Sequence, residues 1–192
     1  MNKSRLEAFS DGVIAILITI LVLDLKVPGS GDLAALKPVL PVFLTYILSF
    51  VFLGIYWNNH HHMLHAASRI NGKVLWANLH LLFWLSLIPF VTGWMGENHF
   101  APVPTALYGV VLLMAAVGYT LLLRSLIRAE GAGSRLAQAV GNDFKGFLSL
   151  ACYAAAIPLA FAATWIAWSL YVAVALIWLV PDTRIESRLG GN

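Results

Sequence analysis

Residues 5–28 read RLEAFSDGVIAILITILVLDLKVP. The run from Val13 to Leu23 carries no charge and is continuous with an apolar segment of membrane-spanning length, yet Asp11 stands at its entrance. A carboxylate at membrane depth is costly, and it is usually kept for a partner inside a helix bundle or for an ion path. This one stretch therefore reads as the first spanning helix of a membrane protein concerned with transport or conduction.

The rest of the chain agrees. With 60% hydrophobic residues and only 11% charged ones, and a mean hydropathy of +0.80, its 192 residues lack the polar surface of a soluble domain. The chain reads as an all-α integral membrane protein. Its formal charge of +3 comes from basic residues lying between apolar runs rather than along one stripe, which is no footprint of nucleic-acid binding. The single cysteine, Cys152, has no intrachain partner for a disulfide.

Apolar windows long enough to span fall near 6–27, 39–64, 74–96 and 104–127. From Gly146 to Pro181 there is again no charge, and the run is too long for one helix. It reads as a hairpin of two short helices turning between Pro158 and Trp168. Six spans result, forming one transmembrane domain over residues 1–192. Cytoplasmic loops collect Lys and Arg, and with the amino terminus inside, ten of the twelve basic residues fall on one side: Lys3, Arg5, Arg69, Lys73, Arg124, Arg128, Arg135, Lys145, Arg184 and Arg188. Both termini are then cytoplasmic. A cleaved signal peptide is the competing reading of the first span, but Asp24 and Lys26 follow it where small residues would prepare cleavage.

At about 100° per residue, Phe9, Ile16, Ile20, Leu23 and Val27 form one apolar stripe on the first helix, with Thr19 on its shoulder and Ser10 and Asp11 on the far side. Such a stripe either faces a symmetry axis, where branched side chains make a water-excluding constriction, or packs on another helix or on lipid, as stripes in membrane helices generally do. Trp57, His60 and Asn78 lie in the same membrane layer as Asp11 and offer donors to a buried carboxylate, with Arg5 at the membrane edge. His61 and His65 are one turn apart, a spacing able to chelate zinc, but an interfacial placement of the His60-His61-His62 run is the simpler reading. Pro89 and Pro158 are expected to kink their helices, and Ala151, Ala155, Ala156 and Ala160 to form a small-residue contact face. The chain has no nucleotide loop, nucleophile elbow, zinc-hydrolase pair or haem-attachment motif, so neither enzymatic activity, a cofactor nor a metal is expected.

The stretch RLEAFSDGVIAILITILVLDLKVP, with Trp57-Asn58-Asn59-His60, Asn78 to Leu82 and Pro89-Phe90, resembles the bacterial branch of the lysosomal and endosomal potassium channels. That resemblance implies a homotetramer of six-helix subunits in the bacterial plasma membrane, with the first helix lining a central pore for potassium ions. It implies that Ile16 forms the main constriction, that Ile20 and Leu23 form further apolar layers, and that Thr19 supplies a hydroxyl layer linked to potassium preference. It also implies that Phe9, Ser10 and Asp11 hold helices together through Trp57, His60 and Asn78. No Thr-Val-Gly-Tyr-Gly segment is present, so stacked carbonyls cannot supply selectivity; moderate selectivity through partial dehydration in an apolar neck is expected instead. The rival reading is a proton-coupled secondary transporter acting through Asp11, although the first helix shows no mid-membrane break.

Overall fold

The computed structural model describes residues 2–131, 133–140 and 143–179. Helix α1 (Lys3–Ile20) begins where the Asn2 side chain accepts from the Ser4 N–H, one of the amides that a helix start leaves unpaired. It tightens into a 3-10 turn over Leu21–Asp24. A second 3-10 stretch, Leu33–Val39, leads into α2 (Leu40–Ala66), which has Pro41 in its first turn. α3 (Gly72–Ser86) is capped by Asn71, whose side chain accepts from the Val74 N–H at 3.1 Å.

The third span is broken at Leu87. Pro89, near the start of α4 (Ile88–Glu97), has no N–H for the Leu85 carbonyl, and the Leu87 N–H bonds there and to Trp84 instead. α5 (Pro102–Glu130) is the longest of the described helices and ends at Gly131, whose φ of 102° suits a residue without a Cβ. A short α6 (Arg135–Val140) precedes α7 (Phe144–Ala162) and α8 (Thr164–Leu179).

Five of these segments are long and apolar enough to cross a membrane: Lys3–Asp24, Leu33–Ala66, Gly72–Glu97, Pro102–Glu130 and Phe144–Ala162. The expected sixth, α8, is apolar but is described over only 16 residues, short of the roughly 20 that a span requires. The hairpin turn falls at Ala163, inside the expected window. Pro158 lies within an unbroken α7, whereas Pro89 marks a true interruption. Of the four alanines, Ala156 and Ala160 are buried while Ala151 and Ala155 are exposed, so the small-residue contact is half as wide as the spacing suggested. Arg184 and Arg188 lie outside the described residues.

α5 packs most broadly against α3 and α7, α7 against α8, and α2 against α4. Close approach is built in at Gly118, where a Cβ would lie 3.0 Å from the Leu81 Cα, and at Gly96, where it would lie 2.7 Å from the Val42 Cα. Several buried polar groups pair across helices, where water is scarce: Ser49 bonds Thr92 at 2.6 Å and Tyr108 at 2.9 Å, and Tyr171 donates to the Thr105 carbonyl at 3.0 Å. α1 rests on α2 and α3 at the margin of this bundle, away from α7 and α8.

Candidate functional site

The marginal position of α1 gives it two contrasting faces. Leu6, Ser10, Ile14, Leu17 and Leu21 are buried against the bundle. On the opposite face Ile16 is 61% exposed and Leu23 is 77% exposed, with Gly12, Ala15 and Thr19 exposed beside them. Ile20 is half-buried on the shoulder between the faces. Ile16 and Leu23 are therefore left uncovered by the other helices of the subunit, while Ile20 packs against the core.

Thr19 has a fixed hydroxyl. Its Oγ1–H donates to the Ile16 carbonyl at 2.9 Å, so the oxygen lone pairs are left for a group outside the helix. One exposed strip thus carries branched hydrocarbon at Ile16 and Leu23 and an oriented oxygen between them.

Behind the strip, α1 is pinned by a three-residue chain. Asn78 Nδ2 donates to Ser10 Oγ at 2.9 Å, and Asn78 Oδ1 pairs with His60 Nε2 at 2.7 Å. A carbonyl oxygen only accepts, so His60 carries its proton on Nε2. All three residues are buried. Ser10, His60 and Asn78 come together from α1, α2 and α3, and they join the three helices at one level.

The remaining residues of the expected network stand apart from this chain. Asp11 is half-buried and makes no hydrogen bond or ion pair among the described residues. Phe9 and Arg5 are exposed. Trp57 is exposed as well, and it stacks on His61, which stacks in turn on His65 with ring centroids 6.1 Å apart. Among the described residues no group of three or more metal-ligating side chains converges.

Sequence reasoning did not find the Ser49, Thr92 and Tyr108 cluster. The signal was present: three polar side chains at matching depth on α2, α4 and α5, the same argument that related His60 to Asn78. At the far end of α1, Lys26 donates to Glu97 at 2.6 Å, tying the exit of the first span to the end of α4.

Comparison with known proteins places this geometry. The model for the endosomal/lysosomal potassium channel TMEM175 matches residues 5–89, which include α1 from Arg5 onward and all of α2 and α3. A potassium channel of Chryseobacterium sp. (strain P1-3) is 54% identical over 192 residues, covering 100% of both chains. The human endosomal/lysosomal proton channel TMEM175 is 38% identical over 96 residues, which is 43% of this chain and 19% of that protein. The crystal structure of a lysosomal potassium-selective channel TMEM175 homolog from Chamaesiphon minutus superposes with a TM-score of 0.82 at 26% identity, covering 94% of this chain and 97% of that one. With a full-length relative above half identity and a matching fold, the chain belongs to the TMEM175 family of potassium channels.

Proposed function

We propose that the chain is a moderately selective potassium channel of the bacterial plasma membrane, in which four copies set the exposed face of α1 around a common axis. Ile16, Leu23 and, on the shoulder, Ile20 form the apolar neck, and Thr19 supplies oxygen to an ion that has shed part of its water. Branched side chains ringing a narrow path oppose water and ions unless the path widens. Potassium releases its hydration more readily than sodium does, which favours it in such a neck. The observation that carries the reading is the exposure of Ile16 at 61% on a helix whose opposite face is fully buried.

Ser10, Asn78 and His60 serve this function by position. A helix that lines a path at the margin of its subunit needs fixed attachment to the helices behind it, and this buried chain joins α1 to α3 and α3 to α2 by two hydrogen bonds at one level. Phe9, Trp57 and Arg5 are exposed and Asp11 is half-buried, and a neighbouring subunit would meet them there. The test is potassium flux in vesicles reconstituted with the full chain: passive, non-saturating flux that rises when Ile16 is made polar supports the channel, and saturable flux unaffected at Ile16 refutes it.

A second reading keeps Asp11 as a proton-handling group in a coupled transporter. It is favoured by the lack of any bonding partner for this carboxylate among the described residues of its own subunit. Asp11→Asn separates the two. Loss of tetramers assigns Asp11 to assembly, whereas intact tetramers that have lost a pH-coupled flux assign it to proton transfer.

A further inference from the structure

Away from α1, the start of α3 and the end of α5 form the walls of a cleft of about 800 Å³, lined by Asn71, Gly72, Lys73, Trp76, Ser125, Arg128 and Ala129. Lys73 and Trp76 are one turn apart on the first wall, and Ser125 and Arg128 are one turn apart on the second, so each pair shares a face. Trp76 is 76% exposed. Neither Lys73 nor Arg128 is ion-paired among the described residues.

The acid nearest to Arg128 in sequence is committed elsewhere. Glu130, two residues beyond Arg128, accepts the Ser68 N–H at 2.6 Å, the Arg69 N–H at 2.5 Å and the Ser68 hydroxyl at 2.9 Å. This has two consequences: the cleft keeps both positive charges, and the end of α5 is fastened to the connector that leads into α3. The walls are held together before anything binds.

The position in the membrane selects the partner. Lys73 begins one spanning segment and Arg128 lies near the end of another, so both are at a membrane surface, with Trp76 one turn deeper. Indoles favour the headgroup level. A guanidinium forks onto phosphate oxygens while an ammonium acts as a point charge. We propose that this cleft binds the phosphate of an anionic phospholipid headgroup, with Arg128 and Lys73 holding the phosphate and Trp76 lying against the glycerol and upper acyl region. The general preference for cations on one side of a membrane protein does not account for this convergence. Arg69, Arg124 and Lys145 satisfy that preference equally well and line no part of the cleft.

The test titrates the purified full-length protein in detergent with short-chain phosphatidylglycerol, phosphatidylcholine or inorganic phosphate, reading the thermal unfolding midpoint. Phosphatidylglycerol is expected to raise the midpoint well above phosphatidylcholine, with inorganic phosphate giving no comparable shift. The double variant Lys73→Gln with Arg128→Gln is expected to raise the half-saturating phosphatidylglycerol concentration by about tenfold or more. Lys145→Gln, which removes a charge at the same end but outside the cleft, should change it little, and Lys73→Arg should keep the response. An equal response in the double variant overturns the proposal, as does an equal loss in Lys145→Gln, which would indicate surface charge alone. An equal shift from inorganic phosphate overturns it in favour of a soluble anion.

Discussion

Ile14 and Ile16 are two residues apart on α1 and face opposite ways: Ile14 is fully buried among its own subunit's helices and Ile16 is 61% exposed. The same side chain therefore serves packing at one position and an external surface at the other. Replacing each separates the roles. Ile16→Asn is expected to increase potassium flux severalfold in reconstituted vesicles with little change in thermal stability, because a polar ring wets an apolar neck. Ile14→Ala is expected to lose about 2–5 kcal/mol of stability through an unfilled cavity, without the gain in flux. Thermal unfolding and flux measured on the same preparations check both.

The Asn78 link yields a second prediction. Removing its amide leaves Ser10 Oγ and His60 Nε2 without partners in a buried site. Asn78→Ala should cost about 1–3 kcal/mol and lower the yield of assembled protein, since α1 loses its attachment to α3. Asn78→Asp keeps an acceptor for His60 but loses the donor to Ser10, and it should fall between wild type and alanine. Detergent-phase unfolding with size-exclusion analysis reads both effects.

The sequence made the two faces of α1 legible because helical periodicity assigns direction around a single helix. It also made the Ala163 turn legible, through the length of an uncharged run. It did not fix which members of a polar layer meet. Trp57, His60, Asn78 and Asp11 share a depth, but depth says nothing of azimuth across neighbouring helices: His60 turns toward Asn78 while Trp57, three residues earlier, turns outward. The cleft between Lys73 and Arg128 was hidden for a related reason. Its walls are far apart in sequence, and charge counting assigns residues to a side of the membrane, not to a common cavity.

Backbone contact between α3 and α5 gives a third prediction. A Cβ at Gly118 would lie 3.0 Å from the Leu81 Cα, against backbone that cannot rotate away as a side chain would. Gly118→Ala should force the two helices apart by a few tenths of an ångström and Gly118→Val by more, at a cost of about 1–3 kcal/mol for overpacking. Gly54→Ala, with open space around its Cβ position, is the control and should be nearly silent. Unfolding midpoints of the three variants should fall in the order Gly54→Ala, Gly118→Ala, Gly118→Val.

Thr19 offers a test of selectivity that leaves packing alone. Its hydroxyl proton is held by the Ile16 carbonyl at 2.9 Å, so the oxygen faces outward as an acceptor, the orientation a cation requires. Thr19→Ser keeps that oxygen and should keep the preference for potassium over sodium. Thr19→Val has nearly the same shape without the oxygen, and the loss of one such contact, about 1 kcal/mol, corresponds to about a fivefold fall in the permeability ratio. Thr19→Val should also make the neck harder to wet, so total flux should decline while selectivity weakens. A variant that kept full selectivity with reduced flux would assign Thr19 to gating alone, and bi-ionic reversal potentials distinguish the two outcomes.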